Sequence, residues 1–431
     1  MKAIISNRIY LSVKDREVAN LLTKELTYKF NKQFGGASRF ASVETVRNYK
    51  KLPKDVYSIP QARLDLIPEG YEIDDRRVLN PVPFPEPKYP LREDQLEVYD
   101  QVVDTCFVNA LPGWGKTFTA LHLAKKLGQK TLVVTHTTAL RDQWIGEVQE
   151  LYGMMPGIIG SGQFDVEDHF IVIGNIQSLK KYAEKIAKEF GTVILDEAHH
   201  CPATTFTDFV DSSHARYRIA LSGTMKRRDE KHRLFKDYFG DTVFKPAVAN
   251  TMEPTIRLIK TNRTLKPGAA WTDKITDLVN DVDYQGFVAQ LAKTQISKGH
   301  SVLVIADRVD FLKNVSEKIG ETCLLVTGES DLEERNRAKA QLLAREKMCV
   351  AGSRQIFSEG ISINVLSCVI LAVPMRNESL LEQIVGRVMR EFPDKPNPVV
   401  LDLQFAGWAD KAQNNARLAV YMTKGWPVES I

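Results

Sequence analysis

Two α/β domains, each built on a parallel sheet covered by helices, are expected to follow a small N-terminal α/β domain. Three observations predict this class. A glycine-bearing loop, Ala110-Leu111-Pro112-Gly113-Trp114-Gly115-Lys116-Thr117, separates a short apolar run (Cys106, Phe107, Val108) from a stretch with helical spacing (Phe118, Leu121, Leu123, Ala124). Strand, loop and helix in that order form a phosphate cradle, because small residues let successive backbone N–H groups turn inward. Strand-like and helix-like stretches then alternate over most of the chain, the rhythm of a parallel sheet with helices on both faces. Finally, 431 residues exceed what one compact core holds.

Taken in order, residues 1–82 are read as an accessory domain that binds DNA. Short β-like runs at 9–13 and 41–46 flank an amphipathic helical stretch over 16–30. From Lys24 to Lys54 eight Lys/Arg stand against Glu25 and Glu44, interleaved with Tyr28, Phe30, Phe34, Phe40 and Tyr49. Two readings stay open: phosphate contacts with aromatic stacking or packing beneath, or a solvated basic face over an ordinary small core. Pro81, Pro83, Pro85, Pro87 and Pro90 form a stiff connector.

Residues 83–245 are read as the first large domain, with alternating stretches at 131–135, 139–151, 170–174, 176–190, 192–195 and 217–221. Residues 246–282 lose this rhythm and carry Pro246, Pro254 and Pro267-Gly268, so an interdomain segment is placed there. Residues 283–431 resume it at 301–305, 311–319, 323–326, 332–344, 348–351, 369–373, 380–388 and 399–403, without a phosphate loop of their own. A nucleotide loop in one domain and none in the other suggests a site at the cleft between them.

Composition narrows the function classes. A net charge of +4, from 58 Lys+Arg and 54 Asp+Glu, tolerates a nucleic-acid partner without demanding one. No run approaches the roughly 18 apolar residues of a membrane helix, and the N-terminus has no signal-peptide core, so a cytoplasmic protein without membrane partners is expected. Cys106, Cys201, Cys323, Cys349 and Cys368 are scattered with no close pair. Neither a zinc ribbon nor a disulfide framework follows, and reduced thiols are expected.

The chemistry starts at the loop. Lys116 would reach the β and γ phosphates as a point charge, and the Thr117 hydroxyl would sit on the bridging Mg²⁺. The apolar run Val193-Ile194-Leu195 ends in Asp196-Glu197-Ala198-His199-His200. Asp196, at the end of a buried strand, is placed to hold Mg²⁺, and Glu197 to accept a proton from an attacking water. An acidic pair can also cap a helix, but downstream of a phosphate loop in the same domain the catalytic reading prevails. A polyphosphate held with Mg²⁺ is therefore the expected ligand, and the family resemblance given next implies that it is ATP.

With these motifs in hand, the chain resembles a superfamily 2 helicase of the DEAH/DExH type over roughly residues 88–405, closest to compact XPB-like and phage UvsW-like DNA helicases. The resemblance implies two tandem RecA-like domains. Leu91-Arg92-Glu93-Asp94-Gln95 resembles the segment ahead of the cradle, which places Arg92 and Gln95 at the nucleotide, with Gln95 on the adenine edge. Pro112, Gly113, Trp114 and Gly115 complete the nucleotide loop, although Ala110 replaces the first glycine of the general pattern. Thr135-His136-Thr137 and Gly174-Asn175-Ile176-Gln177 resemble strand-contacting motifs, implying nucleic-acid contacts at Thr135, Thr137, Asn175 and Gln177, with Asn175 where threonine is usual. Ser222-Gly223-Thr224 resembles the motif that couples hydrolysis to strand movement, so Ser222, Thr224 and His199 are assigned to coupling. The cluster Lys226-Arg227-Arg228 with Lys231, Arg233 and Lys236 fits a solvated helix face as well as DNA.

In the last domain, Gln383-Ile384-Val385-Gly386-Arg387-Val388-Met389-Arg390 resembles the family's final motif. Gln383, Arg387 and Arg390 are implied in catalysis, and the spacing of three predicts both arginines on one face of a single helix. Their guanidinium groups would stabilise the transferring phosphoryl group only on domain closure, coupling chemistry to motion. The resemblance further implies Gly360 at the nucleotide and Arg308, Gly328 and Ser353 on nucleic acid, with Ser362 standing where aspartate is more frequent. The expected activity is ATP-driven unwinding or remodelling of forked, branched or tailed DNA by a monomer, in replication, recombination or repair. RNA as substrate, duplex translocation without strand separation, and a nucleotide-gated clamp are the alternatives. No paired-acid nuclease signature is present.

Overall fold

The computed structural model describes residues 1–31, 43–111, 113–198, 203–223, 231–246, 251–265, 270–359, 363–375 and 377–430. They fall into two compact units, Met1–Leu111 with Gly115–Ala247, and Val248–Ile431 with residues 112–114.

In the first unit the N-terminal residues build a five-stranded sheet in the order Lys50–Leu52, Val56–Pro60, Arg8–Ser12, Lys2–Ile5, Glu72–Asp75. All its pairings are antiparallel except Lys2–Ile5 with Glu72–Asp75. Alternation along these strands sends Ala3, Ile5, Ile9, Leu11 and Ile59 to a core closed by Leu22 and Leu26. The helix Arg16–Glu25 starts on Asp15, whose carboxylate accepts from the Glu17 N–H at 2.7 Å. It stops five residues short of the expected end. Thr27–Asn31 is instead a strand paired with Val43–Arg47, because Tyr28 and Phe30, two apart, both turn to a buried surface.

The first large sheet has eight strands in the order Gln163–Phe164, Gly157–Gly160, Ile171–Asn175, Thr131–Thr135, Thr192–Leu195, Tyr217–Ser222, Cys106–Asn109, Val243–Phe244. Every pairing is parallel except the first. Tyr28 and Phe30 belong to the hydrophobic core beneath this sheet, not to that of the N-terminal sheet. Polar groups join the two sheets as well. Asp237, fully buried, accepts from Tyr28 Oη at 2.9 Å, Asn48 Nδ2 at 2.8 Å and Arg63 Nη1 at 3.0 Å. The proline connector is anchored rather than free: Val82 N–H donates to the Gly128 carbonyl, Lys88 N–H to that of Leu151, and the Phe84 ring lies 5.0 Å from Phe170.

The second unit carries a seven-stranded parallel sheet in the order Cys323–Val326, Cys349–Ser353, Val302–Ala306, Cys368–Leu371, Val399–Gln404, Thr255–Lys260, Val428–Ser430. Residues 246–282, expected to be an interdomain segment, thus contribute a strand to this sheet and the helix Trp271–Asn280. Flanking prolines hid a strand in which only Ile256 is fully buried. A helix absent from the sequence reading, Trp408–Thr423, is held by a buried Arg417–Asp402 pair, with Tyr421 Oη donating to the same carboxylate at 2.9 Å. Among the described residues no helix is long and apolar enough to cross a membrane. Cys106, Cys349 and Cys368 are buried free thiols and Cys323 a half-buried one, while Cys201 lies outside the described residues.

Candidate active site

The phosphate loop leaves the strand Cys106–Asn109 and enters the helix Lys116–Leu127. Gly113 (φ 96°) and Gly115 (φ 95°) both take the left-handed conformation that glycine adopts without a Cβ clash. At Gly115 space is lacking too, since a Cβ there would lie 2.5 Å from Gln95 Nε2. Gln95 is buried against the loop, and its Oε1 accepts from the Arg92 N–H at 3.1 Å. Arg92 caps the helix Glu93–Gln101 and directs its Nε to Asp94 at 3.1 Å. The Ala110 N–H donates to the Ser222 carbonyl at 3.0 Å, so the end of the strand Tyr217–Ser222, where a coupling role was expected, is hydrogen-bonded directly to the start of the loop. Lys116 Nζ donates to the Ala110 carbonyl at 3.1 Å and stands 3.9 Å from Glu197 Oε1. Trp114 is buried, and Thr117 occupies the first turn, where helix N–H groups and dipole favour an anion.

The acid pair follows the strand Thr192–Leu195, separated from the loop's strand by Tyr217–Ser222 alone. The carboxyl ends of these three strands therefore converge, as at the ligand crevices of open α/β sheets. Asp196 is 4% exposed, and its Oδ2 accepts from the Trp144 indole N–H at 2.7 Å while Oδ1 accepts from the Glu197 N–H at 2.9 Å. Burial, and then the Glu197 charge, push the Asp196 carboxyl up to about 6. Glu197 holds φ 45°, a strained position for a side-chain-bearing residue, fixed here between a buried strand and the Asp196 carboxylate. Paired carboxylate oxygens whose ionisation is opposed by burial fit a hard divalent cation such as Mg²⁺, and the left-handed glycines at a helix N-terminus fit a polyphosphate.

Trp144 falls in the stretch 139–151, which the sequence marks only by its alternation with strands; the role of its indole shows once the structure buries it against Asp196, because a fully buried N–H must find an acceptor.

The residues expected on nucleic acid lie at the carboxyl edges of the two large sheets. Thr135 and Asn175 end neighbouring strands in register, and Thr135 Oγ1 donates to Asn175 Oδ1 at 2.8 Å. Thr135 is fully buried, so its hydroxyl is turned from any strand outside and serves to orient Asn175. The Thr137 hydroxyl accepts from the Leu140 N–H at 3.2 Å as a helix cap, and Gln177 is exposed. In the second unit Ala306 and Ser353 are in register, as are Val326 and Gly352. Half-buried Ser353 thus ends its strand, and exposed Arg308 and exposed Gly328 follow the ends of the two strands beside it.

Gln383 and Arg387 lie buried on the helix Glu378–Val388, with Arg387 Nε donating to the Phe357 carbonyl at 2.9 Å. Arg390 does not share that helix. It lies beyond the end, in an antiparallel bridge with Thr251, and the Met389 carbonyl accepts from the Met252 N–H at 2.7 Å. Pro393 follows closely, and a proline disfavours helix at the residue before it. Arg390 Nη1 donates to Asn364 Oδ1 at 3.1 Å. Pro112, His199, Thr224, Gly360 and Ser362, like the cluster at 226–228, lie outside the described residues.

A family model described as the res subunit of type III restriction enzymes matches residues 88–227, and one described as the helicase conserved C-terminal domain matches 286–391. "Probable helicase D10" of Escherichia phage T5 is 40% identical over 435 residues, covering 99% of this chain and 95% of the relative. "DNA 3'-5' translocase XPB2" of Sulfurisphaera tokodaii is 25% identical over 78% of this chain and 87% of its own length. "ATP-dependent DNA helicase uvsW" of Enterobacteria phage T4 is 24% identical over 68% of this chain and 63% of its own. Among solved structures, S. cerevisiae Dbp5 bound to RNA and ADP BeF3 is similar with a TM-score of 0.55 at 12% identity, covering 79% of this chain and 89% of that one. Its two RecA-like domains are the fold seen here. The chain belongs to the superfamily 2 helicases and is an ATP-hydrolysing helicase.

Proposed function

We propose that this helicase acts on DNA, unwinding or remodelling forked, branched or tailed duplexes in replication, recombination or repair. The observation that supports it most is the combination of a built phosphate loop and acid pair with polar strand ends on both large sheets, where hydroxyl, amide and backbone groups suit a sugar–phosphate strand rather than base edges. Binding is then largely independent of sequence and weakened by salt. DNA is preferred over RNA because XPB2 and uvsW are described as acting on DNA.

In this reading the loop from Gly113 to Thr117 and the amino end of the helix hold the phosphates, and Thr117 with Asp196 would hold Mg²⁺, which neutralises phosphate charge when bound. Lys116 swings from the Ala110 carbonyl to the phosphates. Glu197 accepts the proton of the attacking water, and Arg387 and Arg390 are required for turnover. Residues 1–82, with the basic run around Lys29 and Arg47, select the DNA structure engaged. The description of XPB2 as a translocase favours a second reading, movement along duplex without strand separation.

ATP hydrolysis and strand separation measured on forks, four-way junctions, tailed duplexes of both polarities and an RNA duplex test the proposal. Forked or branched DNA is expected to stimulate hydrolysis most and to be unwound. Stimulation by RNA alone would overturn it, and hydrolysis on DNA without separation would establish the second reading. Glu197→Gln is expected to lower hydrolysis by about 10²–10⁴-fold while ATP binding persists; unchanged turnover would remove Glu197 from its role.

A further inference from the structure

Lys395 is 8% exposed yet carries an amine that nothing in the sequence reading used. Past Arg390 the chain makes a tight turn, in which the Lys395 N–H donates to the Phe392 carbonyl at 3.3 Å and Asp394 takes φ 55°. Arg345 Nη2 pins this turn through the Asp394 carbonyl at 2.9 Å. The turn folds the Lys395 side chain back onto the segment it has just left. Its Nζ donates to the Arg390 carbonyl at 2.5 Å and to the Asn364 carbonyl at 3.1 Å. Asn364 is also the residue whose side-chain oxygen accepts from Arg390 Nη1. One residue, Asn364, is thus tied to the Arg390 guanidinium through its side chain and to the Arg390 main chain through Lys395.

Such an arrangement is a poor choice for stability alone. An ammonium is removed from water beside a guanidinium, and burial, then the Arg390 charge, bring the Lys395 amine down to about 7. A methionine of similar length would fill the same space without opposing charge. What the ammonium adds is geometry, since it donates to carbonyls on two separate segments at once.

We propose that Lys395 is a positioning residue for Arg390: by bridging the Arg390 and Asn364 carbonyls it holds the arginine's backbone in the orientation that nucleotide turnover requires. This rests on the reading above that Arg390 takes part in ATP hydrolysis.

The test compares full-length Lys395→Met, Lys395→Gln, Arg390→Ala and the Lys395→Met/Arg390→Ala double variant. It measures kcat and KM for DNA-stimulated ATP hydrolysis, with thermal melting of each protein as a control. Lys395→Met is expected to lose up to about 10²-fold in kcat, the scale of a misplaced catalytic group, with KM for ATP and the melting transition little changed. Lys395→Gln, which keeps a donor, recovers part of the loss, and the double variant is no slower than Arg390→Ala alone. A Lys395→Met enzyme with unsubstituted kcat, or losses that multiply in the double variant, overturns the proposal while leaving Arg390 in place. If Arg390→Ala itself hydrolyses ATP normally, the reading beneath it fails instead. Where Lys395→Met does not fold, Lys395→Leu, which likewise removes every donor, carries the same comparisons with the same outcomes.

Discussion

At the scale of single residues, the site depends on groups whose neighbours leave them little choice. Trp144 is such a neighbour, because its indole N–H fixes one oxygen of a carboxylate that is otherwise buried beside a second acid. Trp144→Phe keeps an aromatic ring, though a smaller one, and removes the donor. With Asp196 holding Mg²⁺ as proposed above, the expected outcome is a rise of about tenfold in the Mg²⁺ concentration that half-saturates ATP hydrolysis, the cost typical of losing a group that orients a metal ligand. Gly115 faces two constraints at once, its left-handed backbone and the Gln95 amide 2.5 Å from where a Cβ would stand. Gly115→Ala should destabilise the protein by about 1–2 kcal/mol in urea unfolding and, by displacing Gln95 and the loop, should weaken nucleotide binding in a fluorescence titration. Both roles follow from contacts between residues far apart in the chain. The glycine was legible in the loop pattern, whereas the tryptophan's partner emerged only when the strand ending at Leu195 was seen beside the helix that carries it.

At the scale of elements, the alternation of strands and helices was readable because parallel strands buried on both faces are continuous apolar runs. Val193-Ile194-Leu195 and 302–305 are examples in which every residue is buried. Elements went unread where burial was one-sided or flanked by prolines, as at Thr255–Lys260, or where a polar helix is held by a buried ion pair, as with Arg417 and Asp402. Spacing alone also misplaced Arg390: a separation of three is compatible with one helical face, but the bridge to Thr251 takes that residue off the helix. The short hairpin of Thr27–Asn31 and Val43–Arg47 shows the same competition between local and tertiary preference. Its Tyr28 hydroxyl and the Arg63 guanidinium converge on Asp237. Among the described residues, Asp237→Ala leaves Arg63 with the partly exposed Asp65 and Glu25 as charge partners. A loss of about 3 kcal/mol in denaturant unfolding is expected, the low end for a broken buried pair because those two acids remain.

At the scale of the molecule, the N-terminal sheet and the nucleotide-loop sheet form one compact unit. Tyr28 and Phe30 sit in the second sheet's core, Arg8 reaches Asp211 at 2.5 Å, and Arg218 Nη2 donates to the Asn7 carbonyl at 3.3 Å. The two sheets are therefore expected to respond as one to denaturation. Deleting residues 1–82 should lower the melting temperature of the remaining chain and expose apolar surface to a hydrophobic dye; an unchanged transition would show that the shared core contributes little. The basic run read in this region is divided by the same packing. Its aromatics Tyr28 and Phe30 are the packing beneath, so they do not offer faces for base stacking, while Lys29, Arg47, Lys50 and Lys51 stay exposed.

The sequence by itself determined the α/β class, the nucleotide loop and the acid pair, because each is written in contiguous residues whose backbone conformation and burial are set by near neighbours. Only the tertiary structure decided which distant groups meet: Trp144 on Asp196, Gln95 against Gly115, Tyr28 and Arg63 on Asp237. Hydrogen bonds and close packing between distant segments leave no periodicity in the chain, since their partners are selected by the register of strands and the turns that join them.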